Sequence, residues 1–500
     1  KTGEILLVAG KGHEKTQDIR GQKVFFSDKK IISDSIKIKN INLNNNFKLN
    51  IIKELSGSKK ISSKISFRKA KINSKEVRKH DIFFAIKGKK KDGNKFVKES
   101  LKNKALLAIV SKVQKNLDFS RQIKVRDTLK FLTNVSKTFR KNLKTKIIAI
   151  TGSCGKTTLK ELLSSSLKKV SKVGMSPKSY NNKFGVPLSL LNLNQNDNYG
   201  VLEIGMDKKG EIDYLTRLIK PNLGLITNIS YAHIENFKNL NKIAETKGDI
   251  INNIVPGGAM VINRDDKYYK YFLKRAKKCK LNVITFSKKT SSANILFLSQ
   301  KKIKNKYLIK LKINNTIKLF LLPKNLINYK ENVLASLSII VNYFNVENLS
   351  KNLFLNFMIP KGRGSVTNYK KGLKKLTIID ESYNSNPLSL KFALEKFDLT
   401  YKESNKKFLL IGNMLELGKY SKQLHVKIAK YINNSKINKV FTYGTLAKHT
   451  FNKLKPQMKG KILNDKMEVK TLINKGLPNK SYLMVKASNS TGINNIIQNL

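Results

Sequence analysis

Short, continuous apolar runs alternate along most of this chain with stretches in which apolar residues recur at helical spacing. Ile147 to Ile150 is one such run, and it leads directly into a glycine turn. After the turn, Leu159, Leu162, Leu163, Leu167 and Val170 fall on one helical face. Further runs at Val201 to Ile204, Leu223 to Thr227 and Ala259 to Ile262 are separated by helical stretches. Strands buried on both faces read as unbroken apolar runs, and strands alternating with helices build parallel sheets, so this region is expected to be an α/β domain. Beyond residue 346 the alternation begins again, with runs at Leu376 to Ile379, Phe408 to Ile411, Val440 to Tyr443 and Tyr482 to Val485, which predicts a second α/β domain.

Ahead of these, the run Ile82 to Ile86 and a strand at Ala105 to Val110 predict short strands and helices up to about residue 140. Residues 34–60 are rich in Lys, Asn and Ser and read as a linker. Residues 1–33 are a glycine-containing piece that opens on a strand candidate, Ile5 to Val8. A chain of 500 residues, 40% of them hydrophobic, holds more apolar material than one core needs, so several folded domains are expected and disorder throughout is excluded.

The charge alters this picture less than its size suggests. Lysine and arginine number 100 against 33 acids, a formal net charge of +67, which ordinarily points to nucleic acid or an anionic membrane surface. Only ten of these cations are arginine, the side chain that forks onto phosphates and base edges. Lysine is spread through every segment rather than gathered in a stripe, and no RNP-like aromatic stretch or Asn-Lys-x-Asp motif is present. Nucleic acid is therefore not the expected partner. Two cysteines, Cys154 and Cys279, make no disulfide framework, and no Cys/His set has zinc-ligand spacing. No apolar run is long enough to span a membrane, and no signal-peptide core is present, so the expectation is a cytoplasmic protein without stable membrane insertion, and a monomer.

The strongest chemical signal is Thr151-Gly152-Ser153-Cys154-Gly155-Lys156-Thr157-Thr158, set between a strand and a helix. In that context the backbone N–H groups of Gly152 to Thr158 and the helix N-terminus can cradle phosphates, Lys156 can reach β/γ oxygens, and a threonine hydroxyl can hold Mg²⁺. Ile150 stands where the common P-loop has its first glycine. Glu203 closes a neighbouring strand, at the sheet edge where open α/β folds bind ligands, and could complete a Mg²⁺ shell; taken alone it also fits a solvated strand-end carboxylate. His233 follows another strand end; a lone loop histidine is more often structural, but its place beyond a neighbouring strand of the same sheet favours a functional reading. Lys247 by composition is one more lysine among ninety.

These residues, in this order, resemble the Mur ligase family. The resemblance is carried by the P-loop, Asn181-Asn182-Lys183-Phe184-Gly185-Val186-Pro187-Leu188, Glu203-Ile204-Gly205-Met206, Gly210-Glu211-Ile212, Ala232-His233-Ile234-Glu235 and Lys247-Gly248-Asp249. It continues through Asp380 to Pro387, Ile411 to Gly418 and His425, and forward into Ile72-Asn73-Ser74-Lys75, Asp81 to Ile86 and Asp92-Gly93. Lys75 stands where the family usually has arginine, His80 where it has glycine, and Leu326-Ile327-Asn328 where it has Gly-x-His before the asparagine aligned with Asn332. Ala9 to Glu14, Gln17 and Phe26-Ser27-Asp28 resemble instead the carboxyl end of another Mur ligase, the one acting a step earlier, as in a truncated fusion or a run-together reading frame.

The resemblance implies a three-domain α/β architecture: a remnant over 1–33, the linker 34–60, a UDP-substrate domain over 61–140, a central P-loop ATPase domain over 141–345 and a Rossmann-like ligase domain over 346–500. It implies ATP-dependent joining of D-alanyl-D-alanine to UDP-N-acetylmuramoyl-tripeptide through an acyl phosphate, in peptidoglycan precursor synthesis. By the same resemblance His233 helps hold a second Mg²⁺, and Lys247 carries a CO₂ adduct. Asn332, Arg363, Asp380, Asn384 and Asn386 embrace ATP, while Ser74, Lys75, Asn181 and Asn182 lie on the UDP-sugar-peptide side. The nearest alternative is another ligase of this superfamily, such as a folylpolyglutamate synthase; a basic nucleic-acid-binding P-loop NTPase is the alternative of a different class.

Overall fold

The computed structural model describes residues 16–19, 22–25, 27–28, 30–32, 48–59, 61, 67–88, 91–401, 404 and 406–500. The expected strand Ile5 to Val8 and the segment Ala9 to Glu14 lie outside the described residues. The chain forms two compact units: one runs to Lys144 and takes in Leu190–Asn196, and the other comprises Thr145–Ser189 and Asp197–Leu500.

In the first unit, β1 (Thr16–Ile19) and β2 (Gln22–Phe25) pair antiparallel, Thr16 facing Phe25. The expected linker is corrected over its described end, because residues 48–56 are helical. The reason is local: Leu49, Ile51 and Ile52 give this polar segment an apolar face, and all three are buried. Lys48 is buried too; its ammonium donates to the Leu193 carbonyl at 2.6 Å and lies 4.9 Å from the centre of the Phe139 ring. Next come β3 (Ala70–Lys71), β4 (Ile82–Phe84), β5 (Leu107–Val110) and β6 (Gln122–Lys124), a parallel sheet in sequence order. Helix Thr128–Lys141 follows, its N-terminus capped by the Asp127 carboxylate, which accepts from Leu129 and Lys130 N–H.

The second unit contains two sheets. The larger is formed by β7 (Lys146–Thr151), β8 (Val173–Met175), β9 (Tyr199–Glu203), β10 (Leu223–Ile226), β11 (Ala259–Asn263), β12 (Asn282–Ser287), β13 (Ile295–Ile303), β14 (Lys306–Ile313) and β15 (Thr316–Pro323). Their spatial order is β15-β14-β13-β12-β11-β10-β7-β9-β8, parallel from β8 through to β13 and antiparallel beyond it. The change of pairing follows the sequence. The Ile147–Ile150 run is buried on both faces, whereas β14 exposes Lys306 and Lys310 and buries Ile309, Leu311 and Ile313. Leu159, Leu162, Leu163 and Leu167 of helix Lys156–Leu167 pack fully buried on the sheet, and each Leu→Ala there would cost about 2–5 kcal/mol. Val170, expected on that face, lies past the helix end and is 39% exposed.

The smaller sheet comprises β16 (Ser365–Lys371), β17 (Lys374–Glu381), β18 (Lys407–Gly412), β19 (Lys439–Tyr443), β20 (Lys459–Leu463) and β21 (Ser481–Lys486), in the order β16-β17-β21-β18-β19-β20. Only the β16–β17 pair is antiparallel. The expected α/β alternation is thus present twice over, and the loops at the carboxyl ends of both sets of parallel strands carry the candidate residues.

Candidate nucleotide site

β7 is central in its sheet, flanked by β9 and β10, so the loop leaving it sits where the strand order reverses. Gly152 and Gly155 take left-handed backbone conformations, φ 141° and 80°, and a Cβ on Gly152 would collide with the Thr227 side chain. The loop is stitched to the end of β10. Ser153 N–H donates to the Asn228 carbonyl (2.9 Å), Cys154 N–H to Asn228 Oδ1 (3.0 Å), and Thr227 Oγ1 to the Cys154 carbonyl (2.6 Å). Two of the N–H groups expected to face phosphate are therefore turned to the protein. The free donors are those opening the helix at Lys156, where the first turn has no intrahelical acceptors.

Thr157 Oγ1 donates to Glu203 Oε2 at 2.6 Å, and Asn181 Nδ2 donates to Glu203 Oε1 at 2.7 Å. Glu203 is buried at the end of β9, where two neutral donors bind its oxygens and the Lys156 ammonium acts on it electrostatically. A buried carboxylate beside a hydroxyl, both hard oxygen ligands, suits a divalent cation. Ser179 Oγ lies 3.3 Å from Thr157 Oγ1 and accepts from Arg363 Nη2 at 3.1 Å, so the expected residues Arg363, Thr157 and Glu203 are joined through a serine that the sequence reading did not single out. Arg363 also stacks its guanidinium 4.1 Å from the centre of the Tyr383 ring. Asn182 turns its carbonyl oxygen to the N–H groups of Phe184 and Gly185 and caps the helix that follows.

Lys156 and Lys247 converge on one acceptor. Their ammonium nitrogens lie 2.8 and 3.1 Å from the Gly152 carbonyl oxygen. Burial lowers both pKa values; that of Lys247, 1% exposed near the end of helix Leu240–Gly248, is held well below the ordinary lysine range by burial and then by the Lys156 charge. Burial pushes the Cys154 thiol up. Its sulfur sits 3.2 Å from Asn386 Nδ2 and 3.3 Å from Asn386 Oδ1, so the P-loop touches the loop after β17. Asn332 lies beside Gly155, its Nδ2 buried without a hydrogen-bond partner.

His233, left-handed at φ 58°, has its Nδ1 2.8 Å from Glu416 Oε2 and 3.7 Å from Asp207 Oδ1. Glu416 is held below the ordinary glutamate range, first by its hydrogen-bonding contact with His233. Among the described residues, no three His, Cys, Asp or Glu side chains gather in a metal-binding group. The structure thus places His233 near carboxylates of the loops after β9 and β18, while Thr157 and Glu203 form a separate hard-oxygen pair.

The loop after β17 holds its own residues tightly. Asp380 Oδ1 accepts from the N–H (3.0 Å) and hydroxyl of Ser382, Asn384 Oδ1 accepts from Ser385 N–H (2.7 Å), and Asn386 caps helix Pro387–Thr400 in a reciprocal pair with Ser389. Lys486, buried at the end of β21, donates to the carbonyls of Glu381 (3.2 Å) and Asn384. In the first unit, the buried Ser74 hydroxyl donates to Glu99 Oε2 at 2.5 Å, so of Ser74 and Lys75 only the lysine is presented to solvent.

Residues 150–349 match the Mur ligase middle domain, and residues 362–489 match the Mur ligase glutamate ligase domain. The UDP-N-acetylmuramoyl-tripeptide–D-alanyl-D-alanine ligase of Rickettsia prowazekii is 30% identical over 440 residues, 87% of this chain and 96% of that protein. Among solved structures, MurF from Acinetobacter baumannii superposes with a TM-score of 0.74 at 24% identity, covering 90% of this chain and 98% of that one. The MurF ligase from Thermotoga maritima in complex with ADP superposes with a TM-score of 0.70 at 25% identity, covering 86% and 96%. With this identity, sustained over nearly the whole of a relative, the chain belongs to the Mur ligase family.

Proposed function

We propose that this protein is the ATP-dependent ligase that joins D-alanyl-D-alanine to UDP-N-acetylmuramoyl-tripeptide in the cytoplasm, with residues 61–140, 141–345 and 346–500 as its UDP-substrate, ATPase and ligase domains. The observation that carries the reading is the convergence of Lys156, Thr157, Glu203 and, through Ser179, Arg363 on one P-loop, in a chain alignable almost end to end with a relative named for that reaction. The ADP of the Thermotoga structure supports ATP as the nucleotide.

A carboxylate acylates poorly because its leaving group is oxide. The terminal carboxylate of the tripeptide therefore attacks the γ-phosphate, ADP leaves, and the amine of D-alanyl-D-alanine then displaces phosphate from the acyl phosphate to form the amide. Both steps build charge on transferring oxygens, so the protein's part is positioning and electrostatic stabilisation. Lys156 has its ammonium parked on the Gly152 carbonyl and swings to the β/γ oxygens; the N–H groups opening its helix receive phosphate. Thr157 and Glu203 fit Mg²⁺, which when bound supplies neutralising charge at the phosphates. His233, paired with Glu416, orients the loop after β10 against the ligase domain, and Asn332 and Arg363 flank the nucleotide. Asn384 and Asn386 complete that side, with Asp380 setting the turn that carries them. Asn181 and Asn182 serve the sugar-peptide part of the substrate, and Ser74 and Lys75 its uridine end.

The test is phosphate release from ATP with UDP-N-acetylmuramoyl-tripeptide, with and without D-alanyl-D-alanine. Release that requires both substrates, with the pentapeptide product seen by mass, is expected. Release that ignores both and responds to RNA would overturn the proposal.

A further inference from the structure

Behind Arg363 lies a largely buried polar chain that the reaction scheme does not use. Tyr329 closes the 3-10 turn Ile327–Tyr329 ahead of helix Lys330–Ile340, and its hydroxyl donates to the Arg363 carbonyl at 2.7 Å. The same oxygen accepts from Lys396 Nζ at 2.7 Å, and that ammonium also donates to Glu381 Oε1 at 2.6 Å. Lys396 further sits 4.7 Å from the centre of the Tyr329 ring. The protonation states leave one arrangement. Burial pushes the Tyr329 phenol up to about 12, so it keeps its proton. Burial acts against the Glu381 charge, but the Lys396 and Lys486 ammonium groups outweigh it and hold Glu381 below the ordinary range; Glu381 in turn, against burial, holds Lys396 above its own. The chain therefore runs from carboxylate to ammonium to phenol to carbonyl, each bond polarising the next.

Gly364 shows how closely this chain is fitted to the peptide it holds. At φ 95°, any Cβ there would meet Lys396 Nζ, Tyr329 Oη and Glu381 Oε1. The anchored residue is the one whose guanidinium reaches Ser179 beside Thr157.

We propose that Tyr329, with Lys396 and Glu381 behind it, is a positioning residue for ATP use: it fixes the backbone of Arg363 so that the guanidinium is delivered to the P-loop side. The inference rests on the reading of Arg363 as a nucleotide contact. Tyr329→Phe removes one hydroxyl and leaves the Lys396–Glu381 pair. It is expected to raise the KM for ATP roughly tenfold, the scale of one buried hydrogen bond, with the KM for D-alanyl-D-alanine unchanged. Arg363→Ala is expected to raise the KM for ATP at least as much, and Tyr329→Phe to add nothing in that background, because it acts through Arg363. If Arg363→Ala leaves the KM for ATP unaltered, the nucleotide assignment of Arg363 fails and the inference with it. If Arg363→Ala raises that KM but Tyr329→Phe does not, or if its effect persists in full in the double variant, the positioning role alone is overturned. Should Tyr329→Phe melt as an unfolded protein, Glu381→Gln, which neutralises the foot of the chain at constant volume, is held to the same split in KM and the same loss of effect in the Arg363→Ala background.

Discussion

Thr157 and Glu203 lie 46 residues apart in sequence and 2.6 Å apart through their side-chain oxygens. The contact exists because β7 and β9 are parallel neighbours, with Ile150 beside Glu203, so the P-loop helix starts where the β9 carboxylate ends. Glu203→Gln would keep the Thr157 hydrogen bond while removing the charge that fits a divalent cation. Its expected result is a loss of ligation on the order of 100-fold or more, with the melting temperature little changed. Turnover within twofold of the parent at limiting Mg²⁺ would separate Glu203 from the metal.

Lys156→Ala should abolish ligation on the same scale, on the order of 100-fold or more, since phosphoryl transfer depends on charge stabilisation. Burial lowers the Lys156 pKa, so folding works against its charge, and the free enzyme should melt no lower without it. A variant that is both inactive and unfolded at ambient temperature would show the lysine to be structural.

Asn386 has two separable tasks. Its side chain caps helix Pro387–Thr400 and touches Cys154 Sγ of the P-loop. Asn386→Ala should lose about 1 kcal/mol through the cap, and roughly tenfold in rate through a displaced loop. Asn386→Ser can cap but falls short of the sulfur, so its unfolding midpoint should recover while kcat does not. Joint recovery of both would assign the residue to the helix alone.

His425 ties a signature loop to its helix. Met414 N–H donates to Nε2 (3.1 Å), and Nδ1 lies 2.8 Å from the Ser421 carbonyl, an acceptor only, so the ring is neutral with its proton on Nδ1. Burial lowers its pKa from the ordinary 6.5. Above 6.5 neither state binds this proton; as pH falls below it, the unfolded chain protonates first, and stability drops until the folded pKa is passed. Urea unfolding between pH 8 and pH 5 should show this loss, and His425→Gln should lack it. Identical pH profiles would remove His425 as the source.

The sequence carried the parallel sheets because their strands are unbroken apolar runs; it pointed to Lys156 and Thr157 because the phosphate loop has a fixed spacing, and to Glu203 because it closes a neighbouring apolar run. It did not carry what depends on pairing across long separations. Ser179 is an ordinary loop serine until Arg363 reaches it, Tyr329 sits in a stretch without a motif, and Asn228 takes two loop N–H groups that spacing alone assigns to phosphate. The helix at 48–56 was hidden by flanking lysine and asparagine, which mask Leu49, Ile51 and Ile52. Within the hairpins β13–β14–β15, the end of β14 from Ile309 to Ile313 alternates apolar and lysine positions, the pattern of an antiparallel strand, with no unbroken apolar run to mark it.

That helix sets the limit for truncation. The motifs of the first unit and of the P-loop side all lie beyond residue 60, and a chain beginning at residue 45 should keep the parent's rate and unfolding midpoint. A chain beginning at residue 60 loses the buried Leu49, Ile51 and Ile52, each worth about 2 kcal/mol or more of burial, and should melt lower or fail to fold. Equal stability of the two would mean that the helix contributes nothing to the first unit.

Lys247 is the most demanding residue of the site. Its buried ammonium shares the Gly152 carbonyl with Lys156, and both burial and that neighbour favour its neutral amine. A neutral amine adds to CO₂, forming a C–N bond and releasing a proton, and the carbamate so made is an anion. That addition replaces an amine disfavoured as a cation beside Lys156 with an anion that Lys156 or Mg²⁺ can meet. Lys247→Ala should therefore lose most of the activity, and short carboxylic acids such as acetate or propionate should restore part of it by supplying the missing anion. Depleting dissolved CO₂ should lower the rate of the parent enzyme and leave the variant unaffected. A fully active Lys247→Ala, or a parent enzyme that keeps its rate without CO₂, would establish the lysine as an unmodified contact of the P-loop.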